Sequence, residues 1–168
     1  VAKFNSAKRH DILIQAYAKS GVTLPLVLVG QGPLKEQTMQ LVDHLRLSDR
    51  VIFAGFHSNP YPIIKNATGL IVPSDYEGLG MVGVEAQTNG LNVLASTAVP
   101  LEMKCTELVK YKRLSDGVDS WGRVIVEFSK SKLGRRTSIE DLRKAGFDIK
   151  VESKRLMELY ENINDYIL

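Results

Sequence analysis

The chain contains 168 residues, 44% of them hydrophobic, which suits one globular domain with a sizeable buried core. Its 22 basic and 19 acidic residues leave a formal net charge of only +3, which argues against a nucleic-acid-binding module. The single cysteine, Cys105, excludes an internal disulfide, and because neither an apolar leader nor a membrane-length apolar run is visible, we expect a cytoplasmic protein.

Apolar strands alternate with amphipathic helices along the chain. The sequence starts at Val1 inside what reads as a strand, so we expect a domain of a longer protein. The run LPLVLVG is continuously aliphatic, which is typical of a strand covered on both faces. The predicted order is strand VAKF, helix KRHDILIQAYAKS, strand LPLVLVG, helix GPLKEQTMQLVDHLRLSD, strand RVIFAGF, short helix or turn PYPIIKNAT, strand GLIVPS, helix LGMVGVEAQTN, strand LNVLAS and short strand ELVKY.

This alternation predicts the fold class. Strands separated by helices of this length form βαβ units with right-handed crossovers, so we expect an α/β fold with a Rossmann-like, doubly wound parallel sheet. The tail, about residues 138–165, is expected to form two helices. The second would carry an apolar stripe, which is ordinarily core, made of Leu156, Leu159, Tyr160 and Ile163.

Ligands in such sheets bind at the carboxyl ends of the strands, so the turns after strands are the informative ones. The first, VGQGP, has Gly30 and Gly32 but no complete dinucleotide motif and no P-loop lysine. We prefer to interpret it as a tight strand-to-helix turn that needs positive φ.

The turn PSDYEGLG and the helix after it are more specific. A helix starting near Gly80 would leave its first amides, those of Gly80, Met81 and Val82, free to bind an anion at the positive end of the helix dipole. Gly78 and Gly80 would let the backbone approach phosphate oxygens without a Cβ in the way. Glu85 would follow roughly 7.5 Å along the axis, a spacing that suits a ribose joined to a diphosphate.

Two acids flank this helix start. Glu85 could accept hydrogen bonds from ribose hydroxyls, and Glu77 would face the other end of the phosphates, where a transferred sugar offers hydroxyls. The alternative is that Glu77 is a helix-start charge and Glu85 a solvated helix residue. That alternative fits less well because Glu85 lies between Val84 and Ala86 in an apolar helix.

The run from Ser74 to Ala95, with Glu77 and Glu85 in an E-x7-E pattern, resembles the retaining nucleotide-sugar glycosyltransferases of the GT-B fold, family 4. The resemblance covers about the first 125 residues through KRHDILIQAYA, LVLVGQGPLKEQ, RVIFAGF and LIVPSDYEGLGMVGVEAQTNGLNVLAS, in the family's order. STAVPLE and LSDGVDSWGRVI look most like the bacterial capsular and exopolysaccharide transferases. The resemblance implies the C-terminal, donor-binding half of a GT-B fold over residues 1–168, with the N-terminal acceptor domain absent from this chain.

The resemblance also implies roles for individual residues. Lys3 and Lys8 match the basic pair that holds the donor diphosphate, although this chain has Ala2-Lys3 where the family usually has Gly-Arg. Arg9 and Lys19 are interpreted as solvated helix residues. The loops at Gly30–Gly32 and Gly55–Phe56 would flank the nucleotide base near Val51. The donor-binding set is therefore Lys3, Lys8, Gly30, Gly32, Val51, Gly55, Phe56, Glu77, Gly78, Leu79, Gly80, Met81, Val82 and Glu85.

The mechanism that the resemblance implies is transfer of a sugar with retention, in which Lys8 stabilises the departing nucleoside diphosphate and Glu77 orients the sugar. The donor is expected to be a UDP-hexose, on family frequency alone. No cofactor and no metal are expected, and the three histidines show no ligand spacing.

The acceptor is expected to be a glycan or lipid-linked molecule bound through the absent domain, with peripheral membrane association of the full-length protein. The isolated fragment should bind donor without turnover. Two alternatives stay open. One is a GT-B sugar-nucleotide epimerase, and the other is a non-catalytic flavodoxin-like regulatory domain, which would need more acids around Asp75 than the sequence shows.

Overall fold

The computed structural model of the chain describes residues 1–131 and 139–162. Five strands are present in this part: β1 (Leu26–Val29), β2 (Val51–Gly55), β3 (Gly69–Val72), β4 (Asn92–Ser96) and β5 (Val109–Lys112). The α-helices are α1 (His10–Ser20), α2 (Lys35–His44), α3 (Tyr61–Asn66), α4 (Met81–Thr88), α5 (Val118–Ser129), α6 (Ile139–Lys144) and α7 (Ile149–Glu161), with three short 3₁₀ turns at Ser6–Lys8, Leu101–Met103 and Leu114–Asp116.

All strand pairing in the described residues is parallel, as predicted, but it is divided between two sheets. β1 pairs with β2, and β4 lies between β3 and β5. Between β1 and β3 lies an apolar groove of about 540 Å³, which we call the inter-sheet groove.

The amino-terminal segment lies beside the end of β1 without forming a strand. Residues 1–4 were predicted as a strand, but the segment forms only isolated hydrogen bonds at the end of β1. The amides of Ala2 and Phe4 donate to the carbonyls of Val29 and Gln31 at 2.9 and 3.0 Å. Because the segment meets β1 only at its carboxyl end, it does not join the two sheets.

Two apolar clusters form the core. The first packs the helix pair α1 and α5 against β1 and β2 and includes Leu94 of β4. Gly122 of α5 sits so close to α1 that an added Cβ would lie 3.0 Å from the Ala16 carbonyl. The sequence-based element order lacked α5, whose buried side chains include Trp121, Ile125 and Phe128. The second cluster packs α4 against β3, β4 and β5.

The two predicted C-terminal helices are α6 and α7. Leu156, Leu159 and Tyr160 are exposed, so these three positions of the stripe are not part of the core of the described residues. Ile163, like residues 163–165 of the predicted helix, lies outside the described residues. Within the described residues, none of the helices has the length and apolar composition needed to cross a membrane.

His10 gives the domain a testable pH response. Its ring stacks on Phe4 with 4.4 Å between ring centroids, and burial lowers the pKa of His10 from 6.5 to about 4. The unfolded chain then binds a proton that the folded chain rejects, so stability should be full above pH 6.5 and fall as the pH drops from 6.5 towards 4. Urea unfolding across this range should show the slope, and His10→Phe, which keeps a ring on Phe4, should flatten it. An equal slope in both proteins would contradict the assignment.

Candidate functional site

The helix α4 begins after the loop that follows β3, and no side chain caps its N-terminus. Gly80 precedes α4 in the left-handed conformation at φ 80°, and the first bonded amide of the helix, that of Gly83, donates to the Gly80 carbonyl at 2.8 Å. Among the described residues no acceptor faces the amides of Gly80, Met81 or Val82. A Cβ on Gly78 would meet only open space. The predicted helix start is thus confirmed, and its free amides form a cradle of the kind that binds anions.

Lys8 and Glu77, predicted from the sequence to act on the same donor, meet directly. The Lys8 ammonium lies 2.7 Å from Glu77 Oε2, and the two side chains are only 20% and 13% exposed. The other carboxylate oxygen, Oε1, accepts a hydrogen bond from the Ser74 hydroxyl at 2.8 Å. The ammonium of Lys8, from the 3₁₀ turn before α1, and the carboxylate of Glu77, from the loop before α4, therefore form one ion pair.

The loop that carries Lys8 is fastened to the loop that carries Glu77. The Asp75 amide donates to the Ala7 carbonyl at 2.8 Å, and the Arg9 guanidinium donates to Asp75 at 3.2 Å and to Asp11 at 2.9 Å. These hydrogen bonds, that of Asp11 first, raise the pKa of Arg9. Arg9 also adopts a left-handed φ of 44°, which is strained for a residue other than glycine. The interpretation of Arg9 as a solvated helix residue is therefore wrong.

A second opening lies at the carboxyl ends of β1 and β2. This strand-end cleft has a volume of about 600 Å³ and is lined by residues 1–3, 29–32, Phe56 and His57. It brings together Lys3, Gly30, Gly32 and Phe56 of the predicted donor set, and Phe56 is 65% exposed. Gly55 sits at its edge, where its carbonyl accepts the Gly30 amide at 2.7 Å. Lys3 thus lines the strand-end cleft, whereas Lys8 lines the inter-sheet groove.

Gly30 and Gly32 occupy positions that only glycine fits, because of their backbone conformation and the backbone packed against them. Their φ values are 144° and 157°, and an added Cβ would lie 1.9 Å from the Ala2 carbonyl oxygen at Gly30 and 2.4 Å from that of Phe4 at Gly32. The positive φ agrees with the prediction. A side chain is excluded at both positions because the backbone of Ala2 and Phe4 lies directly against this turn.

Val51 is not brought to this edge. It is the first residue of β2, buried in the first core cluster and paired with Leu26. Four residues of strand separate it from Gly55, which corresponds to about 13 Å. The prediction that Val51 lies near the base is corrected, because Val51 stands at the amino end of the strand.

Glu85 is exposed on α4, on the face that also carries Met81 one turn earlier. Within the described residues its carboxylate has no hydrogen-bond or ion-pair partner, whereas its backbone carbonyl accepts from Thr88 and Asn89. Leu79 is half-buried in the loop before the helix. Glu85 is thus available to a ligand lying along α4, while Glu77 is already held by protein groups.

Sequence reasoning missed Ser74 and Ser96. Ser74 is 1% exposed and Ser96 is fully buried, and the Ser96 hydroxyl donates a short hydrogen bond to the Ser74 carbonyl. The S-x-x-E spacing from Ser74 to Glu77 was a usable signal, since a serine can bond an acid three residues on in a tight turn. In the described ranges no three His, Cys, Asp or Glu side chains cluster in a way that could hold a metal ion.

Comparison with known proteins gives a consistent result. The family described as glycosyl transferases group 1 matches residues 1–106. The chain is 30% identical over 149 residues to the N-acetylgalactosamine-N,N'-diacetylbacillosaminyl-diphospho-undecaprenol 4-alpha-N-acetylgalactosaminyltransferase of Campylobacter jejuni, covering 86% of this chain and 38% of that protein. It is 31% identical over 98 residues to the lipopolysaccharide 1,6-galactosyltransferase of Salmonella typhimurium, covering 56% of this chain and 27% of that protein.

The fold has close counterparts among solved structures. The crystal structure of Anabaena Alr3699/HepE in complex with UDP and glucose superposes with a TM-score of 0.79 at 21% identity, over 96% of this chain and 47% of that chain. The predicted α/β fold of the GT-B type is thereby confirmed. The chain spans less than half the length of these relatives.

Proposed function

The chain belongs to the glycosyl transferases group 1 family, and we propose that it is the nucleotide-sugar-binding domain of a retaining hexosyltransferase. The observation that carries this proposal is the ion pair, 2.7 Å long, between Lys8 and Glu77, the latter in the loop before the unpartnered amides of α4. In a nucleoside diphosphate sugar, a doubly charged diphosphate joins two hydroxyl-bearing rings, the ribose and the sugar. This arrangement offers cationic and amide donors for the linker and carboxylates for the rings.

In this proposal each group has a separate part of the donor. The amides of Gly80, Met81 and Val82 and the Lys8 ammonium bind the diphosphate. Glu85, free on the same helix, accepts from the ribose hydroxyls, and Glu77 accepts from the sugar hydroxyls. The strand-end cleft, with exposed Phe56 at its edge, takes the base.

The chemistry proposed is cleavage of the bond between the sugar and the diphosphate as the acceptor attacks, with retention at the sugar carbon. Negative charge builds up on the departing diphosphate, and Lys8 together with the α4 amides stabilises it. Glu77 positions the sugar. The diphosphate itself takes the acceptor proton, so the chain supplies orientation and charge stabilisation.

The donor proposed is a UDP-hexose and the acceptor a glycan or a lipid-linked glycan in surface polysaccharide synthesis. UDP and glucose occupy the Anabaena structure with the same fold, and the Campylobacter and Salmonella relatives are named for diphospho-undecaprenol and lipopolysaccharide glycosyl transfer. The acceptor would be bound by protein outside residues 1–168, at the cytoplasmic face of the membrane.

Titration calorimetry with UDP, GDP and ADP tests the proposal. We expect UDP to bind and Glu85→Ala to weaken it about 10- to 100-fold, because hydrogen bonds to a charged carboxylate contribute about 1.5–3 kcal/mol. Glu158→Ala on α7 removes the same charge from an exposed helix position and should leave the affinity unchanged. No binding of any of the three nucleotides at millimolar concentration would contradict the proposed function.

A further inference from the structure

Ser74 is buried, and its backbone is anchored to the adjacent strand. It follows β3 directly and is 1% exposed. Its carbonyl accepts the hydroxyl of Ser96, which ends β4, and the same Ser96 hydroxyl accepts the Ala98 amide at 3.2 Å. These hydrogen bonds hold the backbone of Ser74 in a fixed position relative to β4.

The two carboxylate oxygens of Glu77 have different partners. Oε1 accepts from the hydroxyl of Ser74, a short side chain on an anchored backbone, at 2.8 Å, whereas Oε2 pairs with the ammonium of Lys8, at the end of a flexible four-carbon side chain. An arriving diphosphate competes with Oε2 for Lys8. Once Lys8 turns to the phosphate, Ser74 is the protein group that still holds the carboxylate.

We infer that Ser74 is a positioning residue that fixes the Glu77 carboxylate for the sugar of the donor, and this inference rests on the proposed function. With Oε1 held, Oε2 is presented to sugar hydroxyls without loss of side-chain entropy on binding. Without the Ser74 hydroxyl, Glu77 rotates freely and grips the sugar only at an added entropic cost. Ser74 therefore contributes to the preference for UDP-sugar over UDP and not to the affinity for UDP itself.

The experiment compares UDP with UDP-glucose, UDP-galactose and UDP-N-acetylglucosamine by calorimetry on the unmodified chain and on Ser74→Ala. The sugar nucleotide with the largest advantage over UDP is used as the probe. We expect Ser74→Ala to bind UDP within about twofold of the unmodified chain and to lose about tenfold in the advantage of the sugar nucleotide. Ser120→Ala, the same change at a buried serine of α5, should alter neither value.

A double-mutant cycle with Glu77→Ala shows whether Ser74 acts through Glu77. Once the carboxylate is gone, Ser74→Ala should have no further effect on the sugar-dependent affinity. Additive effects, an unchanged sugar preference in Ser74→Ala, or equal loss of UDP and UDP-sugar affinity would overturn the inference. So would an unmodified chain that binds UDP but does not prefer any of the UDP-sugars, which leaves the nucleotide-binding role intact. Failure of the unmodified chain to bind UDP would instead overturn the proposed function, and the inference with it.

Discussion

Replacing Gln87 with leucine is expected to lower the free energy of unfolding by about 3–5 kcal/mol, the largest stability change we predict for a single side chain. Gln87 is fully buried on α4. Its amide nitrogen donates to the carbonyls of Gly83 and Met103 at 2.9 and 2.7 Å, and its oxygen accepts the amides of Cys105 and Thr106 at 3.0 and 2.9 Å. Leucine would keep the volume but remove the Gln87 partners of the Met103 carbonyl and of the Cys105 and Thr106 amides.

Urea unfolding measures this directly through the shift of the midpoint at constant m-value. The control is Gln37→Leu, the same substitution at an exposed position of α2, which should change stability by less than about 0.5 kcal/mol. A Gln87→Leu protein within 1 kcal/mol of the unmodified chain, on the same order as an exposed change, would show that the carbonyls and amides find other partners. The segment from Pro100 to Thr106 would then be held by its other contacts, among them the packing of Met103 and the hydrogen bond from the Tyr111 hydroxyl to the Pro100 carbonyl.

Local sequence patterns predicted most of the helices and strands. They did not predict features that depend on contacts between segments far apart in the sequence. The aliphatic runs and the glycine before α4 are readable because strand burial and helix starts are properties of neighbouring residues. Gln87 looks like any polar residue of an amphipathic helix, since its partners lie 16 to 19 positions further on.

The candidate site shows the same boundary. The resemblance picked out Lys8 and Glu77 separately, but their contact depends on two loops 69 residues apart in sequence meeting through Asp75 and Ala7. Val51 was misplaced for an avoidable reason. The rule that ligands lie at the carboxyl ends of parallel strands already excluded the first residue of RVIFAGF that enters β2, and the structure enforces that rule.

Removing the charge of Lys8 and removing the charge of Glu77 are expected to change UDP affinity in opposite directions. Lys8→Ala should weaken UDP binding about 10- to 100-fold, because the diphosphate loses a charge-assisted partner and then faces the carboxylate of Glu77 without its counterion. Glu77→Gln should strengthen UDP binding about two- to fivefold, because the ammonium no longer has to leave a carboxylate, and partly exposed pairs are worth up to about 1 kcal/mol.

Calorimetry at two salt concentrations distinguishes this local competition from a general effect of net charge. Lys19→Ala removes the same charge from an exposed position of α1 and should leave UDP affinity almost unchanged. Lys8→Ala should also reduce the loss of affinity on adding salt, since one phosphate contact is gone. If Lys8→Ala and Glu77→Gln both weaken UDP binding equally, the two side chains form a structural pair that must stay intact. The diphosphate would then be held by the amides of α4 without competition for Lys8, and the opposite signs expected here would not be seen.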